Sequence, residues 1–246
     1  MRRIRLVVAY DGTDYHGWQV QPGVATIQGL LQECFADIEK KPVQVAGSGR
    51  TDAGVHALAQ VAAVTIENPI PPANLKKALN RLLPEAVRVI AVDEVAPDFH
   101  PRYDARSKTY EYRIAREEIC SPFDRRYVHH HPYPMDDSRF IGAAGVFQGE
   151  FDFTAFTAAD HGDEKCRSKV RRVFMSRAEL HGARLIYQIS GSGFLKHMVR
   201  NIVGTLIEVA KGNIDESEVR ELLASATRKA AQRAPASGLF LTEVKY

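Results

Sequence analysis

The apolar residues of this chain change their spacing in a fixed order, and that order limits the fold more than composition does. Ile4, Leu6, Val8 and Tyr10 alternate, as one face of a strand does. Ile27, Leu30, Leu31, Cys34, Phe35 and Ile38 then recur at helical steps, with Thr26 placed as the N-cap. A short strand is expected near residues 43–47, and Leu58, Ala62, Val64 and Ile66 fit another. Pro71 and Pro72 open a helix with Leu75, Ala78, Leu79 and Leu82 inward, and VRVIAV at 87–92 reads as a further strand. The order is β-α-β-β-α-β.

The second half repeats that order. Strands are expected at 108–114, 170–180, 184–190 and 238–246, with helices near 137–147 and at 194–210. An additional helix, with Val219, Leu222, Leu223 and Ala226 in phase, precedes the last strand. Two copies of a split β-α-β order predict an α+β protein. Its two ferredoxin-like halves, residues 1–103 and 104–246, would form a continuous, mainly antiparallel mixed sheet with a central cleft. The join falls near PRYDARS at 101–107.

Of the 246 residues, 45% are hydrophobic and 26% charged, which suits an ordinary globular chain. No apolar run approaches the roughly 20 residues that cross a bilayer. The start, MRRIRLVVAYDG, runs from basic residues directly into strand-like alternation without a signal-peptide core, so the expected location is the cytoplasm, with no membrane partner. Cys34, Cys120 and Cys166 are scattered singly, which argues against a disulfide framework and a structural zinc site. His129, His130 and His131 are adjacent, and three successive residues on regular structure cannot all face one ion, so no metal is expected. Their role is open.

The net charge is only +3, but it is unevenly distributed. Residues 165–172, KCRSKVRR, carry five basic residues and no acid, and Arg102, Arg106, Lys108, Arg113, Arg116, Arg125 and Arg126 follow one another between 100 and 131. Such a surface fits a polyanion, and a solvated charged face is the plain alternative.

GSGRTDAGVH at 47–56 looks at first like a phosphate-binding loop. It has no Gly-Lys-Ser/Thr, and the third glycine of a dinucleotide fingerprint would fall on Asp52, whose charge would repel a pyrophosphate. A tight turn in which Asp52 accepts backbone N–H bonds is one reading. The other is chemical: Arg50 nearby would keep the carboxylate ionised, and an ionised carboxylate serves as nucleophile or base. In the 194–210 helix, Lys196, Arg200 and Gly204 share one face, which reads as a basic stripe turned away from the core.

GRTDAGVHA at 49–57 resembles the signature loop of the tRNA pseudouridine synthases of the TruA type. So do YDGTDYHGWQ at 10–19, TIQGLLQ at 26–32, ALNRLLP at 78–84, FHPRYDARSKTYEYRI at 99–114, FDFTAF at 151–156, SGSGFLKHMVRNIVG at 190–204 and APASGLFLTEVKY at 234–246. These occur in the family's order and span nearly the whole chain.

The resemblance implies isomerisation of uridine to pseudouridine in the anticodon stem-loop of tRNA, on its 3′ side, by a cytoplasmic homodimer without cofactor or metal. Asp52 would be the catalytic aspartate, acting on ribose or base, with family thinking favouring the sugar. Arg50 would stand beside it, and Arg200 would approach it from the other half. Tyr110 would stack on the target base, while Tyr112, on the same strand face, is expected in the core. Leu239 would line the pocket. Arg167, Lys169, Arg171 and Lys196 are the candidate RNA contacts. A non-catalytic RNA-binding protein on the same scaffold is the alternative, disfavoured by Asp52, Arg50, Tyr110 and Arg200 occurring together. A phosphate-binding enzyme is disfavoured by the acid at 52.

Overall fold

The structure, a computed structural model, describes residues 1–158, 168–224, 230 and 232–246. Among these lie ten strands and five α-helices, an α+β arrangement of mainly antiparallel pairs, grouped in two compact units. One unit is Met1–Arg106 with Phe240–Tyr246, and the other is Ser107–Leu239.

The first unit contains β1 (Arg2–Tyr10), α1 (Ile27–Glu39), β2 (Val45–Gly47), β3 (His56–Ile66), α2 (Pro72–Leu82) and β4 (Val87–Val95). β1 lies between β4 and β3, and β2 pairs with the far edge of β3, all antiparallel, which is the strand order of a split β-α-β fold. The alternation in β1 buries Ile4, Leu6, Val8 and Tyr10. α1 and α2 bury Ile27, Leu31, Phe35, Leu75 and Leu79. Thr26 Oγ1 accepts the Gly29 N–H, as an N-cap should. Leu58 departs from the expected inward pattern and is 48% exposed. The β1–β3 register shifts between Val8 and Tyr10, and the chain at 58–59 is left out of the ladder.

β3 shares its far edge between two strands. β2 pairs at Ala62–Val64, whereas β10 (Leu239–Lys245) runs parallel to the start of β3, with Phe240 opposite His56 and Leu241 opposite Ala57.

The second unit contains β5 (Ser107–Ala115), β6 (His129–His130), α3 (Asp137–Ala144), β7 (Gly149–Asp152), β8 (Val170–His181), β9 (Arg184–Gly191), α4 (Met198–Lys211) and α5 (Glu216–Ala224). Its antiparallel order is β5-β9-β8-β7, and β6 joins β5 in parallel. Asp136 caps α3 by accepting the N–H groups of Ser138 and Arg139. β6 and β7 were not expected from the sequence, and two- and four-residue strands carry too little alternation to show. α4 begins at Met198, later than expected, after His197 in the left-handed region at φ 64. Eleven of its fourteen residues are buried, so it is an interior helix with no broad solvent face.

Candidate active site

Two stretches of backbone in the first unit hold the Asp52 loop between them. The Tyr10 hydroxyl and Thr51 Oγ1 are 2.8 Å apart. The Trp18 N–H donates to the Thr51 carbonyl at 3.1 Å, and the Gly54 N–H donates to the Tyr15 carbonyl at 3.3 Å. The Gly12 N–H donates to His56 Nδ1 at 3.1 Å. Asp52 is thus flanked on both sides by fixed neighbours, and its own carbonyl accepts the Val55 N–H across a tight turn. Its side chain is half-buried.

This packing explains the glycines better than a phosphate does. A Cβ on Gly12 would stand 2.0 Å from the Val55 carbonyl oxygen, and one on Gly17, whose φ is +85, would stand 2.4 Å from that of Thr51. A Cβ on Gly47 would enter the ring of Trp18, itself buried beneath the loop. Ser48 Oγ donates to Gln60 Oε1 at 2.6 Å, and Gln60 Nε2 donates to the Gly49 carbonyl, so the rising limb of the loop is tied to β3. Burial pushes the Tyr10 phenol up to about 12, opposed by its hydrogen bonds, so it stays neutral at ordinary pH.

Arg50 is exposed, and among the described residues its guanidinium makes no ion pair. Arg50 lies two positions before Asp52 and is exposed where Asp52 is half-buried.

In the second unit, Arg200 is buried, not displayed on a solvent-facing stripe. Its Nε donates to the Ala234 carbonyl at 2.8 Å, while its own carbonyl accepts the Ala234 N–H at 3.1 Å. A Cβ on Gly204 would lie 1.9 Å from the Gln232 carbonyl oxygen. The segment at 232–234 therefore covers the helix face that reads as a polar stripe, and Lys196, which precedes α4, is the exposed member of the three.

The same segment continues to Leu239. The Tyr112 hydroxyl donates to the Pro235 carbonyl at 2.8 Å, and Ser237 Oγ donates to that of Val128 at 3.0 Å. Gly238 passes so close to the Tyr112 ring that a Cβ would stand 2.8 Å from it. Tyr112 is fully buried, its phenol pushed far up by burial, and Leu239 follows as a buried residue. Tyr110 is 8% exposed and meets Phe194 edge-on, with ring centroids 5.1 Å apart.

Lys169 is exposed, and the Arg171 guanidinium folds back onto the carbonyls of Ser168 and Val170. Arg167 lies outside the described residues. His129 meets Tyr112 edge-on, and His130 Nε2 lies 2.8 Å from the Glu117 carbonyl. Among the described residues no three His, Cys, Asp or Glu side chains are grouped to hold a metal. Tyr10, Thr51, Trp18, His56 and Phe194 were missed as site-building residues. The paired glycines at 12, 17, 47 and 54 were the available signal.

Residues 6–104 and 143–246 match the family model described as tRNA pseudouridine synthase. A tRNA pseudouridine synthase A of Solibacter usitatus (strain Ellin6076) is 58% identical over 246 residues, covering all of both chains. Proteins of the same description from Limosilactobacillus fermentum (strain NBRC 3956 / LMG 18251) and Thermodesulfovibrio yellowstonii (strain ATCC 51303 / DSM 11347 / YP87) are 43% and 39% identical. Each alignment covers this whole chain, with 96% of the first relative and 100% of the second. The chain belongs to the tRNA pseudouridine synthase family. It is an isomerase. Among the described residues, no helix is long and apolar enough to cross a membrane.

Proposed function

We propose that this isomerase acts on uridines of the tRNA anticodon stem-loop, with Asp52 as the nucleophilic carboxylate. The observation that carries the reading is the clamp on the Asp52 loop: hydrogen bonds at Thr51, Gly54 and His56 fix the backbone on both sides of one half-buried acid. Isomerisation breaks the bond from ribose C1′ to N1 of the base and forms one from C1′ to C5, with a proton lost at C5 and one gained at N1. Nothing is oxidised or reduced. A carboxylate held at a fixed position can take up the electrophilic carbon while the base turns, and such positioning removes much of the entropic cost of attack.

In this reading Tyr110 offers its ring to the displaced base, a contact worth roughly 1–3 kcal/mol. Leu239 supplies apolar contact, while Arg200 and Arg50 bring positive charge to the reacting nucleotide. Arg167, Lys169, Arg171 and Lys196 contact phosphates, which suits an enzyme that reads shape over several neighbouring uridines. The working form is a cytoplasmic homodimer.

The reading is tested by mapping pseudouridine, through carbodiimide adducts and primer extension, on tRNA transcripts with intact or cytidine-substituted 3′ anticodon-arm uridines. New stops confined to those uridines are expected. Stops elsewhere with none in the anticodon arm would overturn the assignment.

A further inference from the structure

His56 lies four residues beyond Asp52, is only 2% exposed, and has two competing partners at one nitrogen. Nδ1 accepts the Gly12 N–H at 3.1 Å and lies 3.2 Å from Asp11 Oδ1. An imidazole nitrogen accepts when it carries a lone pair and donates when it carries a proton, so these contacts belong to different proton arrangements. With the proton on Nε2, Nδ1 receives the Gly12 N–H and the clamp on the loop is complete. With a proton on Nδ1, the ring turns donor toward Asp11, and the Gly12 N–H faces another N–H.

Asp11 has other partners, since its Oδ1 accepts both the N–H and the hydroxyl of Thr13. Among the described residues the Gly12 amide has no acceptor besides His56, and Gly12 lies against Val55 with no room for a side chain. The ring is held in plane by stacking on Phe240 at 4.7 Å and 24°. A ring fixed in orientation with its acceptor atom aimed at a backbone amide is a device for placing that backbone.

We propose that His56, as the neutral tautomer protonated at Nε2, is a positioning residue that sets the geometry of the Asp52 loop through Gly12. The inference rests on the reading of Asp52 as the reacting carboxylate. His56 touches neither uridine nor ribose in this account. It acts by closing the end of the clamp that the hydroxyl pair at Tyr10 and Thr51 closes on the other side.

Two substitutions separate the acceptor from the ring. His56→Phe keeps an aromatic face for Phe240 and loses the acceptor, whereas His56→Asn keeps a carbonyl oxygen near the position of Nδ1 and loses the ring. At matched folded protein, His56→Phe should lower kcat by roughly 10- to 100-fold with KM for tRNA little changed, as loop misplacement does. His56→Asn should recover most of that loss. Wild-type kcat in His56→Phe, or equal loss in both variants, would overturn the proposal. If neither variant folds, long-range ¹⁵N–¹H spectra of histidine-labelled wild-type protein decide: a bare Nδ1 and protonated Nε2 support it, and a protonated Nδ1 refutes it. Asp52→Asn is assayed beside them, so that an active Asp52→Asn indicts the reading of Asp52, while a dead Asp52→Asn with an active His56→Phe indicts His56 alone.

Discussion

The loop that carries Asp52 and the helix that carries Arg200 are both held by backbone from elsewhere in their own units, at similar separations along the chain. Gly12 reaches His56 across 44 positions, and Arg200 reaches Ala234 across 34. Only the first support leaves a trace in the sequence, and that trace is its glycines, not the partners that make it. Glycines mark both sides of the Asp52 clamp, at 12 and 17 on one strand of contact and at 47 and 54 on the other. On α4 a single Gly204 marks the approach of residues 232–234, and in a helix it reads as a weak spot or as part of a polar face. Backbone that occupies the place of a neighbour's Cβ needs glycine at that position, so glycine spacing is a better guide to hidden cover than charge periodicity.

The sharpest way to break this comparison is to add one methyl group to each support. Gly204→Ala in an ordinary helix interior would stabilise by up to about 1 kcal/mol. Here the new Cβ meets the Gln232 carbonyl, and we expect a loss of roughly 1–3 kcal/mol, read from urea midpoints, with a fall in activity as Ala234 leaves Arg200. Gly12→Ala, against the Val55 carbonyl, should cost at least as much. A stabilised Gly204→Ala would show that 232–234 is not a fixed cover.

A smaller effect should appear in acid. Burial, aided by the nearby charges of His131, His130 and Lys211, lowers His129 from the ordinary 6.5 to about 4. The unfolded chain takes the proton at 6.5 and the folded chain refuses it until about pH 4, so stability from this group is complete above 6.5 and is lost as pH falls toward 4. His129 packs on Tyr112, whose hydroxyl holds Pro235, so the loss falls on the cover of α4. His129→Phe should flatten the pH dependence of the urea midpoint in that window, and an unchanged slope would contradict the assignment.

The mildest test is Tyr10→Phe, which removes one hydroxyl from the Asp52 clamp. About 1 kcal/mol of stability should go with it, together with a modest drop in kcat. A variant with full activity and unchanged unfolding would mean that the Thr51 hydrogen bond does not hold the loop.

Much of the fold was legible because its faces are one-sided. β1 alternates cleanly, α1 carries its cap at Thr26, and α2 opens on prolines, so local physics and the tertiary arrangement agree. Leu58 misled because a ladder irregularity turns it outward, and no residue type announces that shift. Arg200 misled because a basic residue at helical spacing from Lys196 looks solvated, while its cover comes from a segment with no periodicity of its own. Arg50 and Asp52 are close in sequence, yet the turn at 51–55 leaves the arginine exposed. At the candidate site the residue types were legible, and the supports that aim them were not.

The most direct test of the account is tritium release from tRNA labelled at C5 of its uridines, comparing the wild-type protein with Asp52→Ala at equal folded concentration. The account predicts release by the wild type and none by the variant, with tRNA binding retained. Equal release by both would contradict it by showing that another group attacks.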